Sequence, residues 1–402
     1  MLSARRNSTR RDLSTEMASS KRRRRVRALA AIGAALIPFT LTMANSESAF
    51  AGSSGAHAWG DNGLSQYGNG NTTPSTVPVA IGGLSKVKSV SAGGYSGLAL
   101  LANGTVMSWG DNAKGQLGDG AFDAPTVPVP VSGLSNVKAV YAGRDHCLAL
   151  LANGTVMSWG SNVYGELGNT SAGIVSDLPV PVTGLTGVKA IAAGTSFSLA
   201  LLTNGTVMAW GSNSDGNLGD GTTTDRHVPV PVVGLTGVKS LSASWYHSMA
   251  VVAKGAVMTW GDNSYGELGD GSTTSSSVPV PVTGLLHVKG VAAGSHFSTA
   301  LLSNGSVEAW GFNGDGELGN GTTTDSHVPV AVSGLSGVKS LSAGWSHVVG
   351  LLATGTVVAW GSNLNGRLGD GATVDSNIPV PVSGLSGVKS ISAGGTFSLA
   401  RP

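Results

Sequence analysis

Short apolar runs dominate this chain, and their spacing is that of strands. One stretch reads Val137-Lys-Ala-Val-Tyr-Ala-Gly143, in which apolar residues alternate with polar or small ones. It continues into the apolar His146-Cys-Leu-Ala-Leu-Leu151, then Thr155-Val-Met-Ser-Trp159-Gly160, which is β-branched and aromatic. A polar loop leads to Leu178-Pro-Val-Pro-Val182. Runs of this length and composition predict β-strands, and Pro confines the fourth to a sheet edge because it lacks an N–H. Asn-Gly at Asn103, Asn153, Asn204 and Asn304 separates the second and third runs. It predicts a two-residue type I′ hairpin, with positive φ at both residues. Lys254-Gly255 and Thr354-Gly355 hold the same place in two further units. The Asn-Gly-Thr/Ser triplets also match glycosylation sequons, but turn geometry accounts for them fully.

The pattern repeats. Trp-Gly recurs at Trp59, Trp109, Trp159, Trp210, Trp260, Trp310 and Trp360, with spacings of 50, 50, 51, 50, 50 and 50. A fixed period of this size, with four strands per unit, predicts an all-β propeller. The chain ends on a second strand, Phe397-Ser-Leu-Ala400, and the body opens on a third, His57-Ala-Trp59-Gly60. Six whole blades and one shared between the two ends make a seven-bladed β-propeller of four antiparallel strands per blade. Closure in the shared blade removes free sheet edges.

Composition agrees: 61 of 402 residues are Gly, which disfavours a helical protein, and 41% are hydrophobic, enough for a core. Charge divides the chain. Residues 1–51 hold 10 Lys/Arg and 3 Asp/Glu, leaving 14 basic and 19 acidic residues, a net of −5, for the body. A body of that charge has no general attraction for nucleic acid. The leader has the order of a secretory signal. Lys21-Arg-Arg-Arg-Arg-Val-Arg27 precedes the uncharged stretch Ala28 to Met43, and Ala49-Phe-Ala51 supplies a small-x-small cleavage site. Cleavage after Ala51 is expected, leaving 52–402 as one propeller domain outside the cell or on the envelope exterior. Met17 would give a more ordinary leader than Met1. Beyond the leader no stable membrane span is expected.

The motif Trp109-Gly-Asp-Asn112-Ala-Lys-Gly115-Gln-Leu-Gly118, with Tyr246-His247-Ser-Met-Ala250, resembles the regulator-of-chromosome-condensation repeat family. The resemblance spans residues 56–400 in all seven units and implies the same propeller. The family's eukaryotic founder is a nuclear guanine-nucleotide exchange factor that contacts its GTPase through a wedge-like insertion. A secreted actinobacterial relative inhibits β-lactamases. The near-constant spacing here leaves no room for such a wedge, so nucleotide exchange is not expected.

No phosphate loop, His-Glu-x-x-His, Gly-x-Ser-x-Gly or paired cysteines occur, and no enzyme activity, cofactor or metal is expected. His146, His247 and His347 share a position with Phe197, Phe297 and Phe397, which suits packing better than ligation. Cys147 stands where other units hold Ser, as a small strand residue. The loops at Asp220 and Asp270 resemble loose calcium loops but are also ordinary turn formers. Glu166, Glu267 and Glu317 correspond to Gln116, Asn217 and Arg367, a variable position suited to a solvated or interblade contact.

Residues shared by the units build blades; those that differ are free to form a working surface. After each Ala-Gly or its equivalent the loops read Gly94-Tyr95, Arg144-Asp145, Thr195-Ser196, Trp245-Tyr246, Ser295-His296, Trp345-Ser346 and Gly395-Thr396. By strand parity these ring the channel mouth, opposite the uniform hairpin face. The two tryptophans outside the repeated set, Trp245 and Trp345, fall in this ring, and Tyr164 and Tyr265 lie in neighbouring loops. Trp, Tyr and Arg dominate interface hot spots. The predicted partner-binding residues are therefore Tyr95, Arg144, Asp145, Tyr164, Trp245, Tyr246, Tyr265, His296 and Trp345. The reading is a monomeric, non-enzymatic, exported propeller that binds another protein. Alternatives are an inhibitor of a secreted or envelope enzyme of the β-lactamase or penicillin-binding-protein type, and a carbohydrate-binding module.

Overall fold

The computed structural model describes residues 55–402. The expected leader and the cut after Ala51 lie outside them. The described residues form seven four-stranded sheets. Blade one contains Val87–Ala92, Ser96–Leu101, Val106–Gly110 and Val129–Pro130, ordered from the channel outward. Blades two to six repeat it. Blade seven joins Ser390–Ala393 and Phe397–Arg401 to His57–Gly60 and Ser75–Ala80. His57, Ala58, Trp59 and Gly60 pair antiparallel with Ala400, Leu399, Ser398 and Phe397, so head and tail close the ring as the repeat register requires. The Pro-rich fourth strands are outermost, where a missing N–H costs no ladder bond.

The repeated indoles lock neighbouring blades together. All seven are fully buried. Each donates Nε1–H to a main-chain carbonyl of the preceding blade, as Trp260 does to Asn217 at 2.9 Å and Trp310 to Glu267 at 2.7 Å. The Gly ending each Gly-x-Leu-Gly motif lies against the next blade's indole. A Cβ on Gly269 would stand 2.6 Å from Trp310 Nε1, so the glycine is required by that approach. The Asn of each Trp-Gly-x-Asn pins the long loop. Asn112 Oδ1 accepts from Leu117 N–H at 3.0 Å, while Nδ2 donates to the carbonyls of Ala121 and Asp123 at 3.0 and 2.8 Å.

The alternating His and Phe residues form a buried interblade layer. His146 Nε2 lies 2.9 Å from Ser198 Oγ in the next blade, and Ser198 Oγ donates to the Glu166 carbonyl at 3.2 Å. That commitment makes His146 Nε2–H the donor to the hydroxyl. His247–Ser298 and His347–Ser398 repeat the pair at 2.9 Å. Phe297 and Phe397 meet the units whose corresponding residues are Val348 and Gly97. Burial pushes the imidazoles down, His146 to about 4 and His247 to about 3.

One expectation needs correction, and a second, left between two alternatives, is decided. At the Asn-Gly hairpins only the glycine has positive φ, 85° at Gly154, and the asparagines do not. Gly154 N–H donates to the Leu151 carbonyl and Leu151 N–H to the Thr155 carbonyl, making a three-residue loop with glycine at the bulge. Asn153 instead accepts through Oδ1 from Thr155 N–H and Oγ1–H at 3.1 and 2.8 Å. The consecutive positive φ pair occurs at Lys254-Gly255. At the Gln/Glu position, expected to be solvated or interblade, the structure shows a buried residue and, at Glu267, an interblade contact to His296 Nδ1 at 3.3 Å. Gln116, Glu166, Glu267 and Glu317 are buried, and their side chains accept the N–H two residues before them, as Glu166 Oε2 does from Tyr164 at 2.8 Å. Burial pushes Glu317 up to about 8.

Candidate functional site: the channel mouth

The loops between first and second strands meet over the channel and are joined there by main-chain bonds. Gly94 N–H donates to Gly143, Thr195 to Ser244, Ser295 to Trp345 and Gly395 to Gly93. Below them the inner strands contribute Ala92, Ala142, Ala193, Ala243, Ala293, Ala343 and Ala393 to the wall of a cavity of about 70 Å³. Arg144, Thr195, Trp245 and Trp345 line its mouth.

The irregular residues gather into one cluster of rings. Tyr95 sits edge-on to Trp345 at 5.1 Å between centroids, and Trp345 edge-on to Trp245 at 4.9 Å. Trp245 meets Tyr246 at 5.6 Å, and Tyr246 stacks on His296 at 5.6 Å with 26° between planes. His296 meets Tyr265 at 5.1 Å, and Tyr265 meets Phe312 at 5.2 Å. The contacts cross the mouth, since Tyr95 belongs to blade one, Trp345 to blade six and Trp245 to blade four. The Arg144 guanidinium carbon, from blade two, lies 5.8 and 5.9 Å from the Trp245 and Trp345 rings, within cation–π reach. Two glycines leave space for this. A Cβ on Gly94 would fall 2.8 Å from Arg144 Cγ, and one on Gly395 2.6 Å from the Trp345 ring.

Of the nine predicted residues, Tyr95, Arg144, Trp245, Tyr246, Tyr265, His296 and Trp345 come together here. Asp145 joins through Arg144, whose Nε stands 3.4 Å from Asp145 Oδ2. Burial pushes the Asp145 carboxyl up, and the guanidinium opposes this. Burial likewise raises Tyr246. Tyr164 stands apart, 40% exposed and outside the chain of rings. Phe312 and Thr195 were missed. Phe312 occupies a position held by Asp61, Asp111, Ser161, Ser212, Asp262 and Ser362 in the other units, so the same search for irregular residues would find it.

Among the described residues one group could hold a cation. Asp262, Glu267 and His296 each bring a ligand atom within 4.8 Å of the others. All three have protein partners: His296 Nδ1 lies 3.3 Å from Glu267 Oε1, Tyr265 N–H donates to Glu267 Oε2 at 2.8 Å, and Ser264 Oγ–H donates to Asp262 Oδ1 at 2.7 Å. The loop resembling a calcium site is closed internally: Asp220 Oδ1 accepts from Thr222 N–H at 3.0 Å, and Arg226 Nε–H donates to Asp220 Oδ2 at 2.7 Å.

Fold and site together define a seven-bladed propeller with one uniform face and one irregular, aromatic face. The model of the RCC1-like domain matches residues 20–336 and 188–401, and the chain belongs to that family. No curated protein matches the sequence. Among solved structures, human WBSCR16 is 25% identical, with 86% of this chain and 98% of that one covered and a TM-score of 0.78. Prp20p from Saccharomyces cerevisiae, described with its binding properties to Gsp1p and histones, is 23% identical over 86% of this chain and 90% of its own, at a TM-score of 0.75. Yeast RCC1 (Prp20) bound to Kap60 gives 23% identity and a TM-score of 0.76, with 86% and 88% covered.

Proposed function

We propose that this propeller is an exported, non-enzymatic binding protein that engages a protein partner through the channel-mouth face. The observation that carries the reading is the unbroken set of ring contacts from Tyr95 to Phe312, assembled from positions the repeat does not need. Large, semi-rigid aromatic side chains around an arginine offer contact area at low entropic cost, the composition of interface hot spots. The protein-binding behaviour described for Prp20p, a propeller of similar fold, supports the general role without supplying a partner. The basic and apolar order of residues 21–51 supports export.

The test is capture from culture supernatant and cell envelope, with the wild type beside Trp245→Ala/Trp345→Ala. A protein retained by the wild type and lost from the double variant, with both proteins melting cooperatively, is the expected result. An unchanged set of captured proteins would overturn the choice of face. Signal on a glycan array in place of a protein would turn the reading to carbohydrate binding, to which the same rings are suited. Titration against penicillin-hydrolysing enzymes separates inhibition from binding alone.

A further inference from the structure

One residue that every unit shares is not explained by packing. The innermost strand of each blade begins at or beside a Val-Lys pair, giving Lys88, Lys138, Lys189, Lys239, Lys289, Lys339 and Lys389. The valine is buried in all seven blades, whereas six of the lysines are exposed and Lys189 is half-buried. Adjacent inner strands contact one another around the whole ring, so the lysines encircle the end of the channel opposite the mouth. The hairpins mark that end. Gly104 and Gly154 accept from the N–H of Val137 and Val188, the residues just before two of these lysines, at 3.0 and 3.1 Å. The ion pairs among the described residues, Arg144–Asp145, Arg226–Asp220 and His296–Glu267, involve none of the seven.

The hairpin face is basic throughout. Lys86, Lys254 and Arg401 lie on it with the seven, so ten of the body's 14 basic residues stand there. The other four, Lys114, Arg144, Arg226 and Arg367, lie in the loops or at a strand end on the mouth side. None of the 19 acidic residues of the body falls in a hairpin or in a link between blades. Asp177 and Glu308 lie within strands, and the remaining 17 occupy the loops of the mouth side. The net charge of −5 thus hides two faces of opposite sign. A surface that serves solubility alone intersperses the signs, whereas segregation of this extent creates a directed field.

Beside the ring stands one apolar residue. Leu286, 61% exposed, lies in the link between blades four and five, where the other units hold Ser85, Ser135, Thr186, Thr236, Ser336 and Ser386. The hairpin bearing Lys254 lies against this link, since a Cβ on Gly255 would fall 2.9 Å from His287 Cα. An exposed leucine set among lysines matches an interface that is anionic at its surface and apolar beneath. A soluble polyanion offers nothing to the leucine, and a linear one cannot engage a closed ring of charges at once. We propose that the hairpin face docks on an anionic phospholipid bilayer, with the seven lysines meeting headgroup phosphates and Leu286 entering the acyl boundary. Docking in this way turns the channel mouth away from the membrane and leaves it open to a protein partner. The inference goes beyond protein capture and does not depend on it.

The test places a polarity-sensitive dye on the full chain, at Ser336→Cys in an exposed link of the hairpin face or at Thr273→Cys in an exposed loop of the mouth side. Cys147 is buried and stays unlabelled. The probe is vesicles of equal parts phosphatidylcholine and phosphatidylglycerol, with pure phosphatidylcholine vesicles and soluble polyphosphate as controls. The dye on Ser336→Cys should report an apolar surrounding with the mixed vesicles and not with phosphatidylcholine alone, while the dye on Thr273→Cys stays aqueous. Because the signal reports a propeller face, vesicle binding through the basic residues 21–27 does not produce it. Lys239→Gln/Lys289→Gln/Lys339→Gln should raise the lipid concentration for half response by roughly tenfold or more, with unchanged melting. Leu286→Ser should raise it several-fold. No preference for the anionic vesicles, an equal response from both dyes, or an unaltered response in the lysine variant would overturn the proposal. So would a response to polyphosphate that Leu286→Ser leaves intact, which would give the face to a soluble polyanion. A response that needs no vesicle and grows with protein concentration would give it to a second copy of the chain. The capture experiment changes only Trp245 and Trp345, so either reading can fail alone.

Discussion

The nine tryptophans of this chain fall into two kinds. Seven are wholly buried, and each donates its indole N–H to the blade before it. The other two stand half-buried at the channel mouth, packed on each other across the axis, and the indole nitrogen of Trp245 has no partner. The same residue type thus fastens blades in one region and forms an incompletely satisfied surface in the other. In the first, the polar atom of each ring is used by the fold; in the second, the indole N–H of Trp245 makes no hydrogen bond within it.

The largest effect should come from removing one of the first kind. Trp260→Ala takes out a fully buried ring and leaves the Asn217 carbonyl without its indole donor. A loss of about 4 kcal/mol is expected, in the usual range for a buried aromatic truncated to alanine. The urea midpoint of the variant measures it. A loss below 1 kcal/mol would show that the repeated indoles do not fasten the blades.

The next effect concerns the interblade layer and depends on pH. His146 is fully buried and burial holds its imidazole down to about 4, against an ordinary 6.5. The unfolded chain therefore takes up a proton below pH 6.5 that the folded chain refuses until about pH 4, and stability falls as pH drops across that window. For one such group the loss reaches about 3 kcal/mol by pH 4. Glu317, raised to about 8, contributes in the opposite sense: the stability from its protonated form is full below 4.5 and is lost as pH rises through 8. The double variant His146→Phe/Ser198→Val reproduces the pairing of Phe297 with Val348 in another blade. It retains the Glu317 contribution, so its difference from wild type isolates the histidine. Unfolding free energies measured from pH 7 to pH 4 should fall less steeply in the double variant. Parallel curves would remove the buried neutral imidazole as the cause.

These two effects lie where the repeat itself was informative. Period, strand count, ring closure and the grouping of Trp245, Trp345, Tyr95 and Arg144 at one mouth could be read from the chain, because a propeller converts a repeat position directly into a place in space. What the repeat did not reveal depends on contacts between distant blades or on local torsions. Arg144 and Trp345 have three whole blades between them in the chain and meet only because the ring closes. The hairpins have the predicted position but another turn type, since Asn153 satisfies Thr155 with its side chain and has no need of the left-handed region. The glutamate position could not be decided between a solvated and an interblade contact, because charge usually marks exposure. In this fold the loop N–H groups accompany the glutamates inward.

The smallest effect sets the two faces against each other. Gly154 closes its hairpin at φ 85°, and a Cβ there would meet only Gly187 and Val188 backbone atoms at 3.4 Å or more. Its alanine variant therefore suffers backbone strain and little crowding, about 1 kcal/mol for a non-glycine residue in the left-handed region. Trp345→Ala removes two edge-on ring contacts, at about 1 kcal/mol each, and opens the roof over the cavity. Trp345→Ala should therefore be the less stable of the two, so both are compared at a temperature where each is folded, and there they should differ in what they bind. Gly154→Ala should retain the captured partner at wild-type level, because the hairpin face takes no part in capturing it. Trp345→Ala should lose most of it at the same temperature and protein concentration. Equal loss in both would mean that capture follows overall stability, and its assignment to the mouth face would fail; equal retention would clear the hairpin face and move the contact away from Trp345.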